Sequence, residues 1–364
     1  MPDARKVAVA MSGGVDSSVA AALLKGKGYQ VIGVTMRTWR RGASSLIDRR
    51  PSCYGPGEDE MIAQAQRVAE ILQIPHYTFD LSQEYETDVL DYFRREYLRG
   101  RTPNPCIRCN QRLKFKALMQ KALSSGLQFD YFASGHYAQV EYEEKSGRYQ
   151  LKKAKDEKKD QSYFLSSLSQ HQLSRLLLPL GGHHKAEVRE MARSFGLPTD
   201  AAESQNFSTG GYLWLFGELW PGPILDREGH VLGQHQGLPS YTIGQRRRLG
   251  IATGRPLYVI DIDPERNTLI VGSKEEIYSQ ELVASELNWI AVEKLEQPIR
   301  AKVKIRYKHE GAEAKLSPLD GGEVQVKFDE PQPAVTPGQA VVFYQGEVVL
   351  GGGIIEKANR SPED

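Results

Sequence analysis

The most chemically pointed group in this chain is a pair of cysteines three residues apart, Cys106-Ile107-Arg108-Cys109. It closes the proline-punctuated stretch Arg99-Gly100-Arg101-Thr102-Pro103-Asn104-Pro105 and runs on into Asn110. A C-x-x-C pair with Arg108, Arg112 and Lys114 close in sequence points to redox, metal or sulfur chemistry, because neighbouring cations favour the thiolate. Asn110 reads as the N-cap of a helix over 111–123, which sets Cys109 directly before a helix N-terminus and lowers its thiol pKa further. The plain alternative is a structural cysteine pair beneath a loop. A second group lies near the start, in Ala10-Met11-Ser12-Gly13-Gly14-Val15-Asp16-Ser17. Two glycines, three hydroxyls counting Ser18, and the free amides of a helix start make anion-binding geometry. Asp16 suits a phosphate site when a divalent cation bridges it to the phosphates, so it is read as a Mg²⁺ partner. Here the alternative is a helix N-cap, with Ser and Asp satisfying orphan amides.

These groups need elements to position them. Lys6 to Ala10 is a short apolar run, Val15 to Lys25 reads as a helix stopped at Lys27-Gly28, and Gln30 to Met36 is a second strand. A long loop over 37–57 carries Trp39, Pro51 and Cys53, and loops of that length tend to be functional. A helix from Glu58 to about Leu72 follows, then a strand from His76 to Leu81, a helical pattern from Gln83 to Leu98, and a strand from Asp130 to Ser134. Alternating strand and helix argue a parallel sheet covered on both faces, with ligands beyond the carboxyl ends of its strands. Gly135-His136-Tyr137 lies just past such an end. A hairpin, Gln139 to Tyr142 and Tyr149 to Leu151, precedes a charge-dense run over 152–159, by default a solvated face. Helices are expected over 164–178 and 185–195.

Residues 221–280 are Gly-rich and strand-like, with Arg246-Arg247-Arg248 after Gly244-Gln245. Short strands and turn signals over 281–357 suggest a small β-barrel. In one of its strands Arg300, Lys302, Lys304, Arg306 and Lys308 alternate with Ala301, Val303, Ile305 and Tyr307. Period two puts five cations on one face, the footprint of a phosphate backbone or, more plainly, an edge strand guarded by lysines. The expected division is a catalytic domain over 1–200, a central domain over 201–280 and the barrel over 281–364.

Composition sets outer bounds. At 364 residues, two or three domains are expected. Lys and Arg number 47 against 46 acids, a net charge of +1, so the chain is no global polycation and any nucleic-acid contact rests on local patches. Three cysteines in this length do not make a disulfide framework. The first apolar run is too short for a signal-peptide core and nothing approaches a membrane span. The expectation is a soluble, cytoplasmic protein with no membrane partner.

No Gly-Lys-Ser/Thr follows the first glycine loop, so it is not a Walker A motif. It resembles the PP-loop of adenylating N-type ATP pyrophosphatases, which include amidating synthetases and tRNA-modifying ligases. Further motifs narrow that set. Gly100 to Pro105 leading to Cys109-Asn110 and Lys114-Phe115-Lys116, Gly135-His136-Tyr137, Lys159-Asp160-Gln161-Ser162-Tyr163-Phe164-Leu165, Gly233 to Gly237, Gly244-Gln245-Arg246, Thr336-Pro337-Gly338-Gln339 and Gly351 to Ile355 all look like the tRNA-specific 2-thiouridylase family. The resemblance spans nearly the whole chain. It implies an α/β fold, a Rossmann-like PP-loop parallel-sheet domain followed by a small central, tRNA-contacting domain and a C-terminal β-barrel.

It also implies ATP-dependent installation of sulfur at C2 of wobble uridine 34 in the tRNAs for Lys, Glu and Gln, through an adenylated uridine. By motif, ATP would be held by Ala10, Met11, Ser12, Gly13, Gly14, Val15, Asp16, Ser17, Met36 and Gly135. Asn104, Pro105 and Cys106 would approach the target base, and His136, Lys159, Asp160, Gln161, Arg306, Tyr307 and Gln339 would contact tRNA. Familiar members carry Asp-x-x-Cys in the Asn-Pro loop and a second catalytic Cys later, in a Ser-x-x-x-Cys-Phe context. This sequence has Cys106 at the Asp position and Ser208 at the later Cys position, in Glu203-Ser204-Gln205-Asn206-Phe207-Ser208. Serine carries no persulfide. Three readings follow: Cys53, Cys106 and Cys109 hold a [4Fe-4S] cluster with one open iron; Cys106 replaces the missing thiol in a relay with Cys109; or the protein binds tRNA without thiolating it. The first two require an upstream sulfur donor, a persulfide carrier or sulfide.

Overall fold

The computed structural model describes residues 5–40, 54–198 and 211–359. Cys53 and Ser208, on which two of those readings turn, lie outside the described residues. The chain folds into two units, one of Met1–Val89, Cys106–Trp214 and Glu347–Val349, the other of Leu90–Pro105, Leu215–Gly346 and Leu350–Asp364.

In the first unit the strands are β1 (Lys6–Ala10), β2 (Gln30–Arg37), β3 (His76–Asp80), β4 (Tyr131–Ser134), a hairpin of β5 (Gln139–Glu143) and β6 (Arg148–Lys152), and β7 (Leu176–Leu177). Five of them form one parallel sheet in the order β3-β2-β1-β4-β7. Val7, Ala8 and Val9 are fully buried, as a strand covered on both faces must be. The chain order reverses direction at β1, so the crevice between the ends of β1 and β4 is the switch point where α/β sheets take ligands. Helix α1 (Val15–Gly26) leaves that point, burying Val19, Ala20, Ala21 and Leu24 against the sheet. Helix α2 (Glu58–Ile71) carries three acids in its first turn, where the helix dipole favours them.

Two local expectations change. The stretch over 164–178 is not one helix but two short ones, Ser162–Leu165 and Gln170–Ser174, with Leu176–Leu177 supplying the fifth sheet strand. The helix carrying the cysteines begins earlier than Asn110. Its segments are Pro105–Arg108, Cys109–Ala117 in π register, and Leu118–Ser124. Proline is at home at a first helical position, where its missing N–H costs nothing. The π register leaves carbonyls exposed, and Gln172 Nε2 donates to two of them, Gln111 at 3.3 Å and Phe115 at 3.0 Å. Asn110 is buried inside the helix, its side-chain amide donating to the Phe164 carbonyl, so it caps nothing.

The second unit contains the helix Asp91–Leu98, then β8 (Gly222–Leu225), β9 (Val231–His235), β10 (Tyr258–Asp263) and β11 (Thr268–Gly272) in a mixed sheet of order β10-β11-β8-β9. The barrel follows as β12 (Tyr278–Trp289), β13 (Ile299–Lys304), β14 (Ala312–Pro318), β15 (Val324–Pro333), β16 (Ala340–Gln345) and β17 (Val348–Asn359). It runs β12-β15-β14-β13-β16-β17 and closes through β12–β17 pairing, around Val303, Leu316, Val326, Phe328 and Phe343. Closure removes the free edges an open sheet would present.

The five-cation face is shortened. β13 ends at Lys304, and Arg306 and Lys308 sit in the turns beyond it. Arg300 is neutralised by Asp329 in a two-pronged ion pair. Alternation in the sequence continues past the point where the backbone leaves the sheet.

Candidate functional site

The loop Met11–Gly14 sits at the switch point, and its supports come from the sheet. Met11 N–H donates to the Val34 carbonyl at 2.9 Å. The Thr35 hydroxyl donates to the Met11 carbonyl at 2.7 Å and so accepts from His76 Nε2 at 2.8 Å. Burial lowers the His76 pKa, which keeps that ring neutral. Within the loop, Ser12 N–H donates to Ser17 Oγ, while the Ser17 and Ser18 hydroxyls donate to the Gly14 carbonyl at 3.0 and 2.9 Å. Gly13 has a φ of +77°, and a side chain there would strike the Met61 carbonyl at 2.4 Å.

These bonds bear on the helix-cap reading of the loop. Gly14 is the N-cap of α1 and no side chain caps the helix, so neither serine nor Asp16 serves its first amides. An uncapped helix start with exposed Ser12 before it is a seat for phosphate oxygens. Gly135 is pressed against the same turn. A Cβ on it would lie 2.6 Å from both Asp16 C and Ser17 N, so only glycine lets the end of β4 approach.

Asp16 is not an open carboxylate. Lys185 Nζ lies 2.8 Å from each of its oxygens, and the Tyr137 hydroxyl donates to Oδ1 at 2.8 Å. Lys185 opens the helix Lys185–Ser194, is almost fully buried, and also stands over the Tyr137 ring. In this structure the Asp16 carboxylate is thus balanced by an ammonium and a phenol rather than open to solvent. Sequence reasoning missed Lys185 because 169 positions separate it from Asp16. Its signal was present as a lysine at the first position of a helix, after His184 and before Glu187, which together form a capping box.

His136 hydrogen-bonds Ser134 Oγ through Nδ1 at 2.8 Å and packs 5.8 Å from the Phe115 ring. Burial, then the Lys114 ammonium, push its pKa well below the usual histidine value. Phe115 lies on the cysteine-bearing helix, which ties that helix to the end of β4 within this unit. Asp160 faces inward: Oδ1 accepts from Ala154 N–H and Ser162 N–H, and Oδ2 from the Ser162 hydroxyl. Gln161 brackets Tyr137, accepting from its N–H at 2.9 Å and donating its own N–H to the Tyr137 carbonyl at 2.7 Å. Gln161 thus holds the Gly135–Tyr137 strip, while Asp160 ties Ala154 to Ser162. Lys159 and Met36 are half-buried.

Cys106 falls in the first turn of its helix and Cys109 in the next, both half-buried. Residues three apart on a helix lie on one face. Cys106, not Cys109, therefore lies in the first helical turn, where the helix dipole favours a thiolate. Among the described residues, no third His, Cys, Asp or Glu ligand converges with these two thiols.

In the second unit, the stretch before Asn104 is fixed by Arg101, whose guanidinium bridges Glu96 at 2.8 Å and Glu356 at 2.7 Å. Thr102 N–H donates to the Pro337 carbonyl, and its hydroxyl bonds that of Thr242 at 2.6 Å. Asn104 is half-exposed and Pro105 buried. Arg306 donates to the Pro333 carbonyl, Lys304 stands 6.0 Å from the Tyr307 ring, and Gln339 is half-exposed.

A parallel sheet whose switch point presents an uncapped, glycine-built helix start is a nucleotide-binding domain of the HUP class. The family model described as "tRNA methyl transferase HUP domain" matches residues 5–208, "tRNA methyl transferase PRC-barrel domain" residues 215–273, and "Aminomethyltransferase beta-barrel domain" residues 279–355. The tRNA-specific 2-thiouridylase MnmA of Moorella thermoacetica is 50% identical over 357 residues, 96% of this chain and 98% of that protein. That of Halothermothrix orenii is 48% identical over 361 residues, 97% and 99% of the two chains. MnmA 1 of Caldanaerobacter subterraneus subsp. tengcongensis is 48% identical over 364 residues, 98% and 99%. The chain belongs to the tRNA-specific 2-thiouridylase MnmA family. No described helix is long and apolar enough to cross a membrane.

Proposed function

We propose that the protein is an ATP-dependent tRNA 2-thiouridylase acting on wobble uridine 34 of the tRNAs for Lys, Glu and Gln. The observation that carries this reading is the uncapped start of α1 with Gly135 pressed against it, in a chain about half identical to named thiouridylases over nearly its full length. ATP would lie along Ala10 to Ser17 with Met36 and Gly135. The C2 oxygen of the uridine attacks the α-phosphorus and pyrophosphate leaves, which turns a poor leaving group into a good one. Mg²⁺ would arrive with the nucleotide and offset phosphate charge. Lys185 and Tyr137 hold Asp16 and through it the first turn of α1.

For the sulfur half, the C-x-x-C pair favours a relay. Cys106, in the first helical turn, carries the persulfide, whose terminal sulfur attacks C2 as AMP departs. Cys109 then attacks the inner sulfur, releasing 2-thiouridine and leaving a Cys106–Cys109 disulfide that a thiol reductant reopens by supplying two electrons. Helical residues three apart lie within disulfide range. An upstream persulfide carrier recharges the Cys106 thiolate by handing over its outer sulfur and leaving as a thiolate; sulfide balances only by attacking the Cys106–Cys109 disulfide itself, which leaves the Cys106 persulfide and the Cys109 thiol. Asn104 and Pro105 would approach the base, which must be splayed from the anticodon stack. His136, Lys159, Asp160, Gln161, Arg306, Tyr307 and Gln339 would meet the tRNA, Gln161 also holding Tyr137 in place. A [4Fe-4S] cluster is the second reading, favoured by a cysteine count of three, one for each ligand of an open-iron site. The described residues supply two of those ligands, Cys106 and Cys109.

Iron and sulfide content after aerobic purification and after anaerobic reconstitution, each paired with a thiolation assay, separates these. The relay predicts activity without iron, loss in Cys106→Ala and Cys109→Ala, and retention in Cys53→Ala. Activity that needs iron and vanishes in Cys53→Ala contradicts the relay. A protein that binds tRNA but thiolates under neither condition contradicts both.

A further inference from the structure

We infer that Arg246, Arg247 and Arg248 form a second RNA-backbone contact, in the middle of the second unit and apart from every residue assigned above. The inference rests on the tRNA reading and names where part of that polyanion is held. The three guanidiniums are exposed, and none has an ion pair, a side-chain hydrogen bond or a ring contact among the described residues. Among the described residues some exposed cations stand equally alone, Arg94 and Arg95 among them, while others are held. Arg101, Lys185 and Arg300 are each paired with carboxylates, and a chain of net charge +1 has little general attraction for RNA. What marks Arg246–Arg248 is that three exposed guanidiniums stand in succession, which concentrates positive charge on one turn.

The backbone under them is built to stay in place. Gly244 N–H donates to the Val259 carbonyl and Val259 N–H returns a bond to the Gln245 carbonyl, at 2.8 and 2.9 Å. The Gln245 side chain accepts from Thr242 N–H and donates to the Arg247 carbonyl at 3.0 Å. Tyr241 and Ile243 before the run and Leu249 after it are buried. The arginines thus ride on a turn bolted at both ends, which limits the backbone ordering that binding would otherwise require.

Arg248 supplies a second, independent sign. Its φ is +64°, the left-handed region that favours glycine. A long charged side chain in a strained, exposed position with no contact to the fold adds nothing to stability. Strain kept at such a site points to use of the side chain. Guanidiniums on a rigid turn suit phosphate oxygens, and such contacts position RNA without reading its sequence.

The test uses the full-length protein and unfractionated tRNA, with dissociation constants measured across a salt series. Arg248→Gly is expected to raise Tm by about 1–3 °C, as strain is relieved, while weakening tRNA binding about 3–10-fold. The triple alanine variant is expected to lower the slope of log K against log salt by about 2–3. Its affinity for ATP without tRNA should match wild type. If Arg248→Gly raises Tm and both variants bind tRNA with wild-type affinity and slope, the arginines are solvated surface and the inference is wrong. If wild type itself fails to bind tRNA, the thiolation reading falls first and this contact with it.

Discussion

Gly135→Ala probes the phosphate seat at its tightest point. The new Cβ would lie 2.6 Å from Asp16 C and Ser17 N, about 0.8 Å inside ordinary contact, and 2.9 Å from the Asp16 carbonyl oxygen. All three atoms are backbone, so no flexible side chain can yield. Either β4 or the first turn of α1 must retreat by most of that distance. Overpacking of this kind costs about 1–3 kcal/mol. Part would appear as lost stability and part as a displaced anion seat, since the struck residues carry the amides that face phosphate. If about half of the cost falls on the seat, then at about 1.4 kcal/mol per tenfold ATP affinity should fall by roughly 2- to 10-fold. Titration calorimetry with a non-hydrolysable ATP analogue, beside thermal unfolding, reads both effects. Wild-type nucleotide affinity in a folded Gly135→Ala protein would refute the placement of Gly135 against the nucleotide loop.

Other changes follow the same site outward. Lys185→Met removes the ammonium from a partly exposed Asp16 and should cost about 1.5–3 kcal/mol in unfolding free energy. It should also raise KM for ATP, because an unpaired carboxylate then faces the phosphates; Lys185→Arg should restore part of both, and unchanged KM in the Met variant would count against the pairing. His136 is held neutral by burial. As pH falls below about 6.5, the unfolded chain takes up a proton that the folded one refuses, so stability drops by about 1.4 kcal/mol per pH unit toward the lowered pKa. His136→Gln should shrink the loss between pH 7 and 5.5 by about that amount, and an identical pH profile in the two proteins would contradict it. Arg101→Met leaves Glu96 and Glu356 without their shared cation and should destabilise the second unit, seen as faster amide exchange around 96–102.

The first half of the sheet was legible because each strand end coincides with a chemical change. Ala10 gives way to Ser-Gly-Gly, and Ser134 to Gly-His-Tyr, so elements and site announce themselves together. The cysteine helix was misplaced because Asn110 looks like a cap. Nothing local in the sequence reveals a nine-residue π segment whose carbonyls depend on Gln172, over fifty positions away. The cation row was overread because period two persists through Arg306 and Lys308 after the strand has ended, and because Asp329, the partner of Arg300, comes from another strand. Lys185 and Tyr137 share one failing as signals: their meaning lies in Asp16, which only the fold brings to them.

The central claim is that this chain adenylates a tRNA uridine and replaces its C2 oxygen with sulfur. Purified protein, MgATP, a sulfur donor and unmodified tRNA for Lys should yield AMP, pyrophosphate and 2-thiouridine at position 34 in equal amounts, by nucleotide analysis and mass spectrometry of the digested tRNA. Release of ADP, or AMP formed at the same rate without tRNA and with uridine 34 unchanged, would contradict the account.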